Sequence, residues 1–342
     1  MPTQTFVLVS CASDQHITTL AFEPASGGLR EIARTKVPGP DATAAGSLPL
    51  ALSPDRTRLY AALRAAPWTV VTFAIDPATA ALAAIGQAPL ADSMCYLSTD
   101  ATGRTLFSAS YSGAKLAANR IDANGIAGPV MQALDTPPKA HSAVPDPSNR
   151  FVYAASLGGD ALLCQDFDAA TGRLAPAITI AARTAQGAGP RHFVFGPAGR
   201  SLYLVNELDG TVNTYARDTA TGALTLRQSV SLLPHGTPLP VAAADIHLTP
   251  DARFLYASER STDTISGFAV DPATFTLTPL CRVPAEPTPR GFAIDPTGRF
   301  LLCAGLASGC LATYAIAPDG TLVRRGAIAV GGGANWVEIV SL

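Results

Sequence analysis

One phrase recurs six times along this chain, and few folds are open to a sequence that repeats a strand–turn–strand unit at near-constant spacing. It reads LSPDRTRLYAAL from Leu52, STDATGRTLFSA from Ser98, VPDPSNRFVYAA from Val144, FGPAGRSLYLVN from Phe195, LTPDARFLYASE from Leu248 and IDPTGRFLLCAG from Ile294. In each copy a short apolar run meets a turn built on Pro, Asp, Gly or Asn, and a second apolar run follows, as in an antiparallel strand pair. With Tyr60, Phe107, Tyr153, Tyr203, Tyr256 and Leu302 as anchors, the copies lie 46 to 53 residues apart. Each interval holds a further strand pair, such as GTVNTYARDTATGAL (210–224) or DTISGFAVDPATFTL (263–277). That makes about four strands per period, the content of a propeller blade.

The two ends of the chain predict how the ring closes. FVLVSCASDQHITTLAFEP (6–24) aligns without a gap to FLYASERSTDTISGFAVDP (254–272), so it supplies the second, third and fourth strands of a blade and lacks the first. GANWVEIV (333–340) has the pattern of the missing first strand. Six internal repeats and one blade stitched from both termini give an all-β, seven-bladed β-propeller of four-stranded blades, a single domain over residues 1–342. Joining the ends removes the open edge of an incomplete ring.

Charge narrows the partners. The 24 Lys and Arg against 26 Asp and Glu leave a formal net charge of −2, and no run of like charge appears, so neither a nucleic-acid footprint nor a membrane-binding basic patch is expected. MPTQTFVLVSCASDQ lacks the basic region and apolar length of a secretion signal, and no apolar run approaches a membrane span. Cys11, Cys95, Cys164, Cys281, Cys303 and Cys310 form no CxxC pair and no metal-ligand spacing with histidine. The expectation is a cytoplasmic protein with reduced thiols, no metal or cofactor, a small-molecule partner, and a monomeric or weakly dimeric state.

The first strand of a blade lines the central channel and the second runs antiparallel to it, so the start of one lies beside the end of the other. Aligning the turns puts Leu48, Cys95, His141, Arg191, Ala244, Arg290 and Asn335 at the channel entry. Pro49, Tyr96, Ser142, His192, Asp245, Gly291 and Trp336 come next. The second strands end at Ala12, Arg64, Tyr111, Leu157, Glu207, Arg260 and Leu306, with Glu259 just before Arg260. One mouth is therefore expected to gather His141, Arg191, His192, Glu207, Arg290, Arg64, Asp245, His247 and Arg260. A purely structural repeat would carry similar residues at equivalent positions, and these differ from blade to blade. Plain structural roles compete: polar plugs at strand ends, or, for Asp245, a carboxylate accepting N–H groups from a neighbouring blade, with His247 orienting it. His16 and His235 read as solvated or structural. GGGAN near residue 331 lacks the Lys of a phosphate loop, and neither GxSxG nor HExxH occurs.

On KAHSAVPDP, GAGPRHFVFGPAGRSLYLVNEL, AADIHLTPDARFLYASER, TPRGFAIDPTGRFLLCAG and GGGANWV, the chain resembles the lactonase family of seven-bladed propellers over nearly its whole length, and within it the bacterial 6-phosphogluconolactonases of propeller type. The resemblance extends to a carboxymuconate-lactonizing enzyme, whose histidine, two arginines and glutamate would fall on His141, Arg191, Glu207 and one of Arg260 or Arg290. It implies metal-independent hydrolysis of a sugar δ-lactone to the aldonate. His141 or His192 would be the general base, Arg191 and Arg290 would stabilise the oxyanion, and Glu207 would orient an arginine or the sugar hydroxyls. Arg64, Asp245, His247, Glu259, Arg260, Asn335 and Trp336 would complete substrate binding, with Arg64 and Arg260 suited to a phosphate. Hydrolysis of an unphosphorylated lactone, δ/γ-lactone isomerisation at the same site, and a non-catalytic binding platform are the alternatives.

Overall fold

A computed structural model describes residues 4–238 and 240–342 of the chain; residues 1–3 and 239, part of the 1–342 domain range, lie outside the described residues. Seven antiparallel sheets follow one another around a ring. In order, their innermost strands are Ala334–Ser341 (blade 1), Leu50–Leu52 (blade 2), Met94–Thr99 (blade 3), Ala140–Pro145 (blade 4), Pro190–Phe195 (blade 5), Ala243–Leu248 (blade 6) and Pro289–Ile294 (blade 7). Six blades have four strands; in blade 4 the outer edge is split into Arg173–Leu174 and Ile180–Arg183, both paired with Ala161–Asp168. The C-terminal strand closes the ring as the sequence predicts, pairing with Thr5–Cys11 in the register Leu8 to Glu338 and Val9 to Val337. The expected four-stranded blades and the composite first blade are thus both present.

The repeated phrase has a double purpose. Its aspartate organises the turn between first and second strands: in blade 3 one oxygen of Asp100 accepts the N–H groups of Arg104 and Thr105, and the other accepts from Thr102 and from Asn149 of the next blade. Asp146 and Asp295 do the same locally in blades 4 and 7. Its tyrosine ties blade to blade. Tyr60 Oη donates to Gly125 O at 2.8 Å and Tyr256 Oη to Gly320 O at 2.7 Å, each across to the following blade, and Tyr153 reaches Gly222 O in the same way. These rings are fully buried, so each packs apolar area between sheets while its hydroxyl remains satisfied.

In six of the seven blades the entry position of the channel strand is a β-bulge. In blade 5, Pro190 pairs with Asn206 and His192 with Val205, which leaves Arg191 as the extra residue; His141 in blade 4, Arg290 in blade 7 and Cys95 in blade 3 hold the same place. In blade 1 it is Asn335, and in blade 6 Ala244 and Asp245 together oppose Ser258. A bulge breaks the two-residue alternation of a strand, so two consecutive side chains such as Arg191 and His192 can both line the channel. This is why chemistry accumulates there.

Candidate active site

The bulged side chains and the second-strand ends build a cavity of about 260 Å³ at one face of the ring, lined by Arg64, Cys95, Tyr111, His141, Glu207, Arg260 and Arg290. Glu207 is its electrostatic centre. Its Oε2 lies 2.7 Å from Arg191 Nε and its Oε1 3.1 Å from Arg260 Nη2. The Arg191 Nε–H does not point along the short contact, which is therefore an ion pair rather than a directed hydrogen bond. Burial raises the Glu207 pKa, but Arg191 and Arg260 outweigh it and hold the carboxyl below its usual range. Arg260 is further tied to the Ala242 carbonyl at 2.9 Å, Arg290 Nη1 to the Gly46 carbonyl at 2.9 Å, and Arg64 Nη1 to Ser47 Oγ at 2.7 Å.

The arginines outnumber their counter-charge. Burial, followed by Arg191, Arg260 and Arg64, pushes Arg290 down to about 9, the mark of cations crowded together with one carboxylate among them. Such a cavity favours an anion. Tyr111 closes one wall, its ring edge-on to His141 at 5.8 Å between centroids and covered by the Lys139 ammonium at 5.5 Å. Neither Tyr111 nor Lys139 was among the residues expected from sequence. Tyr111 occupied an equivalent position but carried no charge to single it out, and Lys139 lies two residues outside the repeat register.

His141 is buried in the bulge, and its Nδ1 has no hydrogen-bond partner among the described residues. Burial, then Arg191, His192 and Arg290, lowers its pKa well below 6.5, so the imidazole is neutral at physiological pH. A neutral imidazole at the wall of a cationic cavity can accept a proton from water. Arg191 sits deeper: it is 2% exposed and lines a waist of about 10 Å³, room for one water, together with His141, His192, Arg290 and Trp336.

Beyond the waist the channel opens to the other face as a second vestibule of about 600 Å³. Here the structure departs from the single mouth expected. His247 lines this far vestibule and not the waist, whereas His192, Asp245 and Trp336 line both and stand between the two. The reason is the depth of each position: residues after the bulge point down the channel, where Tyr96 meets His192 and Trp336 edge to face at 5.1 and 5.3 Å and the tilted His192–Trp336 pair at 6.0 Å completes a narrow waist. Glu259 is fully buried, and its two oxygens take the N–H groups of Ala242, Ser261 and Thr262 and the hydroxyls of Ser261 and Thr262, which leaves no oxygen for a ligand. The Asn335 carbonyl oxygen accepts Ser10 Oγ–H at 3.1 Å and Leu48 N–H at 3.3 Å, bracing blade 1 against blade 2. Asn335 also lines the waist. The six cysteines are free thiols, and no cluster of three or more metal-binding side chains occurs among the described residues. No helix is long and apolar enough to cross a membrane.

Comparison with known proteins agrees with this architecture. A family model described as "Lactonase, 7-bladed beta-propeller" matches residues 41–339. A protein of Pectobacterium carotovorum subsp. carotovorum named 6-phosphogluconolactonase is 40% identical over 319 residues, covering 93% of each chain, and one of Sodalis glossinidius with the same name is 40% identical over 294 residues, covering 86% of this chain and 88% of its own. Among solved structures, the periplasmic gluconolactonase of Pseudomonas aeruginosa superposes with a TM-score of 0.88 at 27% identity, covering 99% of both chains. The chain belongs to the seven-bladed β-propeller lactonase family.

Proposed function

We propose that this protein hydrolyses 6-phosphoglucono-δ-lactone to 6-phosphogluconate in the arginine-lined mouth. The observation that carries the reading is the pairing of a neutral His141, whose Nδ1 has no hydrogen-bond partner among the described residues, with a cavity in which Arg64, Arg260 and Arg290 face one carboxylate, Glu207. The relatives named 6-phosphogluconolactonase support the same substrate.

In this mechanism His141 takes a proton from a water as its oxygen attacks the lactone carbonyl carbon. Negative charge grows on the former carbonyl oxygen, and Arg290, fixed by the Gly46 carbonyl and crowded by like charge, stabilises it. Collapse of the tetrahedral intermediate breaks the bond to the ring oxygen, which leaves with the proton that His141 had taken. Glu207, clamped by Arg191 and Arg260, keeps its charge and accepts hydrogen bonds from sugar hydroxyls. Arg64, held by Ser47 on the opposite wall, binds the phosphate, where a guanidinium can make two parallel hydrogen bonds.

The likeness to a periplasmic gluconolactonase keeps the unphosphorylated lactone as a second reading. Purified protein assayed by pH indicator and by NMR against both lactones, each corrected for spontaneous opening, separates them. Turnover of the phosphorylated lactone at least tenfold above the plain one supports the proposal. Preference for glucono-δ-lactone, or a γ-lactone product, moves the assignment to the second reading, and turnover of neither overturns both.

A further inference from the structure

Asp245 lines both the far vestibule and the waist, and its contacts lead toward the mouth. Its Oδ1 is 2.8 Å from His192 Nδ1 and 3.0 Å from the Ile246 N–H, and its Oδ2 is 3.2 Å from His247 Nε2 and 3.1 Å from the Phe292 N–H of blade 7. On the other side of the His192 ring, Nε2 lies 3.3 Å from Arg191 Nη1. A guanidinium only donates hydrogen bonds. His192 Nε2 must therefore be the acceptor, and the ring's single proton resides on Nδ1, where it is donated to Asp245. Burial and the Arg191 charge lower the His192 pKa to about 4, so this neutral tautomer is the state at physiological pH.

The same Arg191 Nη1 donates its other hydrogen to the Ala244 carbonyl, and Nε faces Glu207. The guanidinium is thus held on three sides. Nη2 makes no hydrogen bond among the described residues, Nε is paired with Glu207 only as an ion pair, and Arg191 lines the waist that His141 also lines.

We infer that Asp245 and His192 are positioning residues, a carboxylate–imidazole relay between the far vestibule and the waist that sets the plane of the Arg191 guanidinium in the waist that His141 also lines. His192 is an acceptor for Arg191 and not the base, which leaves His141 alone in that role. The kinetic part of this inference rests on the lactonase reading, whereas the hydrogen-bond pattern does not.

Two measurements test it. Long-range 1H–15N correlation spectra of the wild-type protein without substrate should show His192 protonated at Nδ1 and bare at Nε2 from pH 6 to 8, and Asp245→Asn should turn this into a mixture of tautomers. A wild-type His192 that carries its proton on Nε2 overturns the relay, whether or not any lactone is hydrolysed. In the assay, Asp245→Asn and His192→Phe should each lower kcat about 10- to 100-fold with KM changed less than about threefold, and the double variant should be no slower than the worse single one, because members of one unit are not additive. Losses that multiply in the double variant, or loss of thermal stability with kcat unchanged, would show that Asp245 merely staples blade 6 to blade 7. Should Asp245→Asn not fold, the wild-type spectrum decides alone.

Discussion

Arg191 Nε lies 2.7 Å from Glu207 Oε2, and the arginine is so deeply placed that only 2% of its side chain meets solvent. A pair with one partner this buried is asymmetric under mutation. Removing the carboxylate takes from Arg191 its direct counter-ion, leaving only Asp245 on the far side of His192, and releases Arg260 as well; breaking a buried pair from one side costs about 3–5 kcal/mol. Glu207 is itself partly open at 18% exposure, which places the expected loss near the lower bound. Glu207→Ala should lose about 3 kcal/mol in denaturant unfolding and at least about 100-fold in kcat. Glu207→Gln, which keeps the shape and one acceptor, should recover part of the stability and little of the rate.

The pH profile follows from His141. Its folded pKa lies well below 6.5, so the free base persists on the acid side of neutrality, and log kcat/KM should stay flat from pH 8 to 6 and fall only below. His141→Ala should reduce kcat about 100- to 10,000-fold with KM within a few-fold. Linkage makes a second statement about the same groups. With His141 and His192 both depressed, the unfolded chain takes up protons first, so their contribution to stability is complete above pH 6.5 and is lost as pH falls toward about 4, the folded value for His192. The slope is about 1.4 kcal/mol per pH unit for each histidine. A pH series of unfolding midpoints on wild type and His192→Phe should show the shallower acid decline in the variant; equal slopes would refute the depressed pKa.

The fold was legible because its determinants are local and repeated: the turn aspartates and the buried tyrosines recur in phase, and the composite blade needs only the pairing of 6–24 with 333–340. The site was legible as a list of positions, since the entry position coincides with the bulge in six blades and brings His141, Arg191 and Arg290 together around Glu207. Depth along the channel was not legible. Strand alternation alone would put His192 and Arg191 on opposite faces, and only the bulge turns both inward at different levels, which sets His192, Asp245 and Trp336 between waist and far vestibule and leaves His247 in the vestibule. Nor could sequence show that the Glu259 oxygens are consumed by the loop from Ser261 to Thr262.

Arg64 should separate phosphorylated from plain substrate. It stands across the cavity on blade 2, anchored by Ser47 Oγ and the Ala45 carbonyl, and no carboxylate pairs with it among the described residues. Hydrogen bonds between charged groups contribute about 1.5–3 kcal/mol, or roughly 10- to 100-fold. Arg64→Ala should therefore lower kcat/KM for 6-phosphoglucono-δ-lactone by that factor, chiefly through KM, and leave any activity on glucono-δ-lactone within about twofold. An equal loss on both lactones would move Arg64 to general shaping of the mouth and direct attention to Lys139 over Tyr111.

The tyrosine stitches give the ring its blade-to-blade continuity, and their hydroxyls can be tested apart from their rings. Tyr60→Phe keeps the buried ring but removes the donor to the Gly125 carbonyl of blade 3, and Tyr256→Phe does the same for Gly320 of blade 7. A neutral hydrogen bond contributes about 0.5–1.5 kcal/mol net, and the carbonyl left behind adds to the loss when water does not reach it. Each variant should lose about 1 kcal/mol, and because the two lie in different blades with no shared partner, the losses should add. Catalysis is expected to stay within about twofold, since neither hydroxyl reaches the channel. Tyr203 is the internal control: its hydroxyl is buried with no hydrogen-bond partner among the described residues, so Tyr203→Phe removes an unsatisfied group and should leave the protein as stable or slightly more so. If Tyr203→Phe costs as much as Tyr60→Phe, the stabilisation belongs to packing of the rings and not to the inter-blade hydrogen bonds.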